Sequence, residues 1–544
     1  MLRNFIVVFF LLFSLHSTYS QNRAWFYLRA YDTLFQPSFE KFDDQLIYNG
    51  NDVKLKSALE KHKIYTFKKT LRHASKKNYN KTFFVISDNE SLLDDLLSKV
   101  PHIFKSGEII PEADKKIFEP NDYGLTSTIG ENLGFQVNLD YYDFLDLPKA
   151  WYYTTGSPEI VIGISDAIVD TSNIEFKYKT KVFKKSGFYD GHGSGVAAIA
   201  AAQGDNAYGI PGVCYDCSIY SNYFGDFTLY SEIATLAKAG ARVINCSWVG
   251  QYHSDNAQAR LDTIYKNGSI VVAAAGNKNW IQVDKGKKLY YPASYNHVIS
   301  VSTVMYKHDA VADNIKLLDG YYFAENIKGY LGRTVGFKDN DTLNPYHIYP
   351  VSVTTLNKEV DILAPSAGQF KFSRFIKNGS MDYIASEATS AAAPVVSGTI
   401  GLMFSLYPCL PMDEIETILK LTSINIDDID VNKPYAGTYG SGALNIGNAV
   451  EMVFQLYSEK QTAYIQNQNF TRWDFKLTSL SEAVVMRNQK FTEEARLNLR
   501  AKNKIIIGKN TVLKPNAKGS LSFKINPSLQ KECELRLRDP GIEK

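Results

Sequence analysis

GSIVVAAAG, residues 268–276, is a run of β-branched and small apolar residues closed by a glycine. A strand with one wet face alternates apolar and polar residues, whereas a strand covered on both faces reads as a continuous apolar run. PEIVIGIS (158–165), ARVINCS (241–247) and HVISVST (297–303) have the same character, and most are followed by polar turn residues. Ala-rich stretches such as GHGSGVAAIAAA (191–202) read as helices between them. Buried strands alternating with helices predict an α/β fold with an open, doubly wound, mostly parallel sheet. EATSAAAPVVSG (387–398) fits the same picture if Ser390 opens a buried helix, with Pro394 read as lying in its first turn, where it breaks no helical hydrogen bond.

At 544 residues the chain is too long for one ordinary core, so several modules are expected. With 45% hydrophobic and 22% charged residues it reads as globular rather than disordered, and a net charge of +3 gives no reason to expect nucleic acid as a partner. MLRNFIVVFFLLFSLHSTYS carries Arg3, an apolar run from Phe5 to Leu15, then small or polar residues. That pattern predicts a secretory signal at 1–20, removed near Gln21, and hence a secreted, cell-surface or periplasmic protein. No later stretch reads as a membrane span, so none is expected after signal removal. Residues 21–120 predict a small α/β unit, with strands at 24–31 and 81–87, a helix at 90–100 and a linker from 101 onward. A main domain at 121–455 follows, with a loop-like insertion near 305–350, and then a separate small β module at 456–544. Five cysteines are few for a secreted chain of this size. Cys214 and Cys217 form either a local disulfide or a pair of buried thiols; Cys246, Cys409 and Cys533 are too scattered to assign.

In open α/β sheets ligands bind beyond the carboxyl ends of the strands. IVIGIS runs into Asp166, SIVVAAAG runs into Asn277, His192 stands at the mouth of the Ala-rich helix, and Ser390 opens another. These are the parts required for acyl transfer. A serine hydroxyl is too weak an acid to attack unaided, so it needs a base such as His192. A carboxylate such as Asp166 orients that imidazole, and an amide such as Asn277 stabilises the oxyanion.

IGISDAIVD, GHGSGVAA, INCSWVG, AAGN and ATSAAAPVVSG, in this order, resemble the signature blocks of the subtilisin-like serine peptidases (subtilases) over residues 136–450. The resemblance implies Asp166, His192 and Ser390 as the catalytic triad and Asn277 as the oxyanion donor. It further implies that the backbone of Ser247, Trp248, Val249 and Gly250 pairs with an extended substrate. Val249 stands where glycine is common, which narrows the pocket for the residue before the scissile bond and disfavours large aromatics there. Lys278 lies near that pocket's floor or rim, where it either favours an acidic side chain or is an ordinary solvated lysine. Glu175 and Asn206 match positions resembling one calcium site of the family, which makes them weak candidates for a structural calcium, with ordinary loop residues as the alternative, while the chemistry itself requires no cofactor. The segment 21–120 resembles the family's pro-segments, which act as intramolecular chaperones and inhibitors. The expected substrates are proteins and peptides.

Four positions depart from the family pattern. Ile168 and Ala388 replace glycines, which is tolerable only at negative φ. Gly195 replaces a second histidine, and Ala391 replaces a methionine. Two other readings remain. An esterase or lipase would carry a G-x-S-x-G elbow and the order Ser, Asp, His, whereas this chain runs Asp, His, Ser. A surface adhesin on an inactive peptidase scaffold would leave the binding to the C-terminal module.

Overall fold

The computed structural model describes residues 23–32, 35–42, 45–69, 82–111, 115–120, 122, 140–184, 191–206, 209–278, 288–366, 369–372, 383–386, 388–539 and 542. The expected leader at 1–20 lies outside them. The chain forms two compact units, one up to Lys115 and one from Lys116 onward.

The first unit begins with β1 (Ala24–Ala30), a hairpin of β2 (Phe39–Phe42) and β3 (Gln45–Tyr48), and α1 (Val53–Leu59). It continues with β4 (Ile64–Lys69), β5 (Thr82–Ser87), α2 (Ser91–Lys99) and β6 (Phe104–Ile109). The sheet order β4-β5-β1-β6, antiparallel throughout, is the split β-α-β arrangement. Phe26 and Leu28 from β1 meet Leu55, Leu92 and Leu96 from the helices in one core. The expected strands and helix are all present. The linker begins later than expected, because Phe104–Ile109 is a strand along the edge of β1.

The second unit opens with α3 (Asp140–Phe144), α4 (Leu147–Tyr153), β7 (Val161–Asp166), β8 (Thr180–Val182), α5 (His192–Ala201) and β9 (Ser218–Tyr223). Then come α6 (Ser231–Lys238), β10 (Val243–Cys246), α7 (Asp255–Lys266), β11 (Ile270–Ala274) and β12 (Val298–Val304). After the insertion follow β17 (Ile362–Pro365), a β18–β19 hairpin (Gln369–Phe372, Tyr383–Ser386), α8 (Thr389–Leu406), α9 (Met412–Leu421) and α10 (Ile446–Tyr457). Seven strands in the order β17-β12-β11-β10-β7-β9-β8 form one parallel sheet. Alternate residues enter opposite cores: Val272 and Ala274 of β11 face the core of α5, α8 and α10, while Val271 and Ala273 face that of α6 and α7. Burial on both faces is why these strands read as unbroken apolar runs.

Three expectations are corrected. The insertion is not a loop but a four-stranded antiparallel sheet, β13 (Ile315–Leu318), β14 (Tyr321–Glu325), β15 (Thr334–Phe337) and β16 (Tyr346–Ile348). Its first turn is Asp319–Gly320, both at positive φ (49° and 81°), the conformation that an Asp-Gly hairpin favours. The helix α8 is long and apolar enough to cross a membrane, contrary to expectation, but all 18 of its residues are buried in the core.

The third correction concerns the C-terminal strands, β20 (Thr462–Gln466), β21 (Asn469–Phe470), β22 (Asp474–Ser479), β23 (Ala483–Arg487), β24 (Lys490–Glu493), β25 (Arg496–Ala501), β26 (Ile505–Ile507), β27 (Val512–Pro515) and β28 (Ser520–Ile525). They wind as three coils of a parallel solenoid with three faces, β20-β23-β26, β21-β24-β27 and β22-β25-β28. Asn467, Asn488 and Asn510, all at positive φ, stack at one corner, each side-chain amide donating to the one before. The module is not separate: Phe470, Phe475 and Leu477 belong to the same continuous core as α8 and α10. Cys409 and Cys533 form a disulfide that ties the tail beyond the solenoid to the residues after α8. Cys214 and Cys217 are bonded to each other, and Cys246 is a buried free thiol whose titration burial pushes far up.

Candidate active site

The residue read as the general base stands at the start of α5. Gly191, at φ 78°, turns the chain into the helix, and a Cβ on Gly193 would come within 1.7 Å of the Ala167 carbonyl oxygen. Only glycine lets this helix start press against the end of β7. That approach brings His192 Nδ1 to 2.7 Å from Asp166 Oδ1, which also accepts from the Ala167 N–H at 2.7 Å. Asp166 is buried and the His192 side chain is one-third exposed, so the pair is dry on its carboxylate side and open on the other. Ile168 has no positive φ, so its replacement of glycine costs nothing.

Ser390 occupies the second position of α8 and is 7% exposed. Pro394 is the sixth residue of that helix, not a first-turn residue as expected. A proline there has no N–H for the carbonyl four residues earlier, which is that of Ser390. Ser247 Oγ supplies the missing donor at 2.9 Å, and Asn245 Nδ2 donates to Ser247 Oγ at 2.8 Å. Ser397 Oγ donates to the Asn245 side-chain oxygen at 3.0 Å, closing a buried polar network beneath the helix start. Replacing Ser247 with alanine strands both the Ser390 carbonyl and an Asn245 amide proton. A buried group left without its partner costs about 1–3 kcal/mol. Urea unfolding of Ser247→Ala is therefore expected to show a loss of at least about 2 kcal/mol.

The Ser390 hydroxyl donates to the Ser247 carbonyl at 3.1 Å. Ser247 follows β10, whose Cys246 pairs with Ser165 of β7, one residue before Asp166. The serine and the Asp–His pair thus meet the same two neighbouring strands at the same end of the sheet.

Asn277 Oδ1 accepts from Thr389 N–H at 2.9 Å and from Thr389 Oγ1 at 2.8 Å. Two donors on the oxygen fix the amide orientation, so Nδ2 is the group left to donate elsewhere. Thr389 Oγ1 also accepts from the Gly276 N–H at 3.2 Å. Thr389 was not singled out from sequence, although it lies in the quoted Ala-Thr-Ser block. It positions Asn277 beside the first turn of α8. Ala388, which precedes it, sits at φ −124° and so tolerates a Cβ.

Of the substrate-strand residues, Gly250 exchanges both backbone hydrogen bonds with Tyr291, at 2.6 and 3.0 Å. Its backbone groups are taken up by that pairing, so Gly250 is not free to pair with a substrate as expected. The Trp248 indole donates to the Ser165 carbonyl at 2.9 Å and its ring contacts Phe227, so this side chain anchors the segment from below. Val249 is 36% exposed. Lys278 is exposed, and both of its backbone polar groups are held by the Thr355 hydroxyl.

Glu175 and Asn206 are brought together: Asn206 Nδ2 donates to Glu175 Oε1 at 3.3 Å. A third residue, Asp122, missed from sequence, accepts from the Asn206 N–H at 3.4 Å. Glu175 Oε2 and Asp122 Oδ1 are buried with no hydrogen-bond partner among the described residues. Burial pushes Glu175 up to about 9 and Asp122 up to about 7. Two buried carboxylates with orphaned oxygens suit a hard cation.

The model of the subtilase family matches residues 157–464. Subtilisin DY of Bacillus licheniformis is 28% identical over 269 residues, covering 48% of this chain and 78% of that protein. The cell wall-associated protease of Bacillus subtilis is 27% identical over 290 residues, covering 50% of this chain and 27% of its own length. The calcium-dependent protease of Trichormus variabilis is 24% identical over 415 residues, covering 69% of this chain and 57% of its own. With a family match over more than half of its residues and an Asp–His pair meeting a serine-bearing helix at one sheet edge, the chain belongs to the subtilase family and is a serine endopeptidase.

Proposed function

We propose that the protein is exported as a zymogen and hydrolyses peptide bonds in proteins through an acyl-enzyme on Ser390. The observation that supports this best is the 2.7 Å bond between His192 Nδ1 and Asp166, which leaves Nε2 as the basic nitrogen. An incoming peptide N–H that pairs with the Ser247 carbonyl displaces the Ser390 hydroxyl from that acceptor. The hydroxyl then turns to His192 Nε2 and attacks the scissile carbonyl as its proton passes to the imidazole. Asp166 stabilises the resulting imidazolium. The oxyanion receives hydrogen bonds from Asn277 Nδ2 and the Ser390 N–H. His192 returns the proton to the leaving amine, and water repeats the sequence to release the acid. Val249 narrows the pocket before the scissile bond, and Lys278 at its rim favours acidic side chains.

Asn277→Leu keeps the volume and removes the oxyanion donor. It is expected to lower kcat about 10²–10³-fold with KM nearly unchanged, read on a chromogenic peptide. A loss below roughly tenfold contradicts this role.

The segment up to about residue 120 acts as the inhibitor and is removed, and export follows from the N-terminal leader. The name of the Bacillus subtilis relative, a cell wall-associated protease, agrees with a destination outside the cytoplasm. N-terminal sequencing of the secreted product tests both points; a product that keeps residues 21–120 overturns the zymogen.

Glu175, Asp122 and Asn206 are the residues that hold calcium in this reading, and bound calcium would neutralise the buried carboxylates. At a hundredfold excess over Kd calcium is expected to stabilise the fold by about 2.7 kcal/mol, seen as a rise in Tm that chelator reverses. Glu175→Gln is expected to abolish the response. A Tm indifferent to calcium and chelator sinks the assignment.

A further inference from the structure

The last coil of the solenoid, β26 to β28, has a neighbouring coil on one side only. Its register continues the interior stack: Ile507 lies over Met486, Phe523 over Leu499 and Ile525 over Ala501. The three covered residues are at most 1% exposed, whereas Ile507 is 50%, Phe523 40% and Ile525 45% exposed. Interior positions are thus open because no fourth coil lies over them. Repeat proteins ordinarily close such an end with a polar capping repeat. The tail does not close it. It returns to the helices, where the Arg536 and Arg538 N–H groups donate to the Leu406 and Tyr153 carbonyls, each at 2.8 Å.

Of the three edge strands, β28 is the one suited to accept another. β26 has only three residues, and β27 ends on Pro515, which has no N–H. β28 runs for six residues. The Ser520 and Asn526 N–H groups donate towards β25, to the Ala495 and Ala501 carbonyls, at 3.2 and 2.8 Å. Alternate residues of a parallel strand bond to opposite sides, so the N–H and C=O groups of Leu521, Phe523 and Ile525 point to the open side. On the outer face Lys524 stands beside Arg500. Arg500 donates to the Thr478 hydroxyl, and neither cation has an ion pair among the described residues. Like charges side by side in a sheet repel, and a carboxylate beside them relieves this. Between Glu494 and Glu532 the chain carries lysines and arginines and no acidic residue.

We propose that β28 receives an extended acidic segment of a partner protein as the first strand of a fourth coil. Its alternate apolar residues cover Leu521, Phe523 and Ile525, and a carboxylate sits beside Lys524. Backbone hydrogen bonds supply the affinity of such strand addition, and the alternate side chains its specificity. An edge lysine turns away strands of like charge and admits an acidic one. A second copy of this end would set one cationic coil against another. A lipid surface would leave the N–H and C=O groups of the edge without partners. The site is independent of the Ser390 chemistry.

The test is isothermal titration of the full chain carrying Ser390→Ala, which prevents cleavage, with the acetylated and amidated peptide Thr-Val-Thr-Val-Glu-Val-Thr. Saturable binding at one site is expected. Lysine in place of the peptide's glutamate is expected to weaken binding about fivefold. Lys524→Glu, an exposed substitution whose fold is checked by its unfolding transition, is expected to reverse the order of the two peptides. Methylating the amide nitrogens of the second threonine and the glutamate keeps every side chain and removes two strand donors. That peptide is expected to bind about tenfold more weakly or worse. The proposal is overturned by no saturable binding, by undiminished binding of the methylated peptide, or by an order of the two peptides that Lys524→Glu leaves unchanged. Binding to phosphatidylglycerol vesicles without binding to the peptide overturns it too.

Discussion

Ser390→Ala is expected to lower peptide turnover about a millionfold, the loss found in subtilisin when its nucleophile is removed. The size follows from the mechanism, because no other group can form the acyl-enzyme, and the residual rate reflects binding and the oxyanion donors alone. The substitution removes one oxygen whose hydrogen bond goes to the Ser247 carbonyl. It leaves intact the Ser247 donation to the Ser390 carbonyl that compensates for Pro394. Stability is therefore expected to change by no more than about 1 kcal/mol. Calorimetry alongside the assay separates a dead enzyme from an unfolded one. Turnover within a hundredfold of the parent would remove Ser390 from the chemistry.

The second large effect is that of Asp166→Asn, expected to lower kcat about 10⁴-fold with KM little changed. Asp166 Oδ1 holds both the His192 ring and the Ala167 N–H, so an asparagine can keep the local geometry. It cannot keep the negative charge beside an imidazolium. Nor does it hold His192 in the required tautomer if its amide nitrogen faces Nδ1. Because the charge matters only once the proton has moved, the loss belongs in kcat rather than in substrate binding. A drop of tenfold or less would mean that the carboxylate serves the fold of the β7–α5 junction and not the reaction.

The parallel sheet was legible because its strands are buried on both faces, and polar residues at their carboxyl ends stand out against apolar runs such as IVIGIS and SIVVAAAG. Asp166 and Asn277 could be picked out on that ground, and His192 and Ser390 as polar residues at the starts of Ala-rich helices. What was not legible depends on distant partners. Thr389 acquires its role only when Asn277, far back in the chain, is brought to it. Asp122 matters only beside Glu175 and Asn206. Pro394 lies deeper than the first turn because the helix begins at Thr389 rather than later, and the lost hydrogen bond is repaired by Ser247, which follows β10. Two further signals were present and overlooked. The Leu-Asp-Gly-Tyr stretch at 318–321 is a hairpin turn inside the supposed loop. The recurrence of asparagine at 467, 488 and 510 marks the coil repeat of the solenoid, whose corner the three residues share.

The account stands on Ser390 being the one hydroxyl that His192 activates. Labelling the processed protein with a fluorophosphonate, then mapping the adduct by peptide mass spectrometry, tests this directly. The predicted result is a single adduct on Ser390 that disappears in His192→Ala. An adduct on another residue, or a Ser390 adduct formed equally fast without His192, would contradict it.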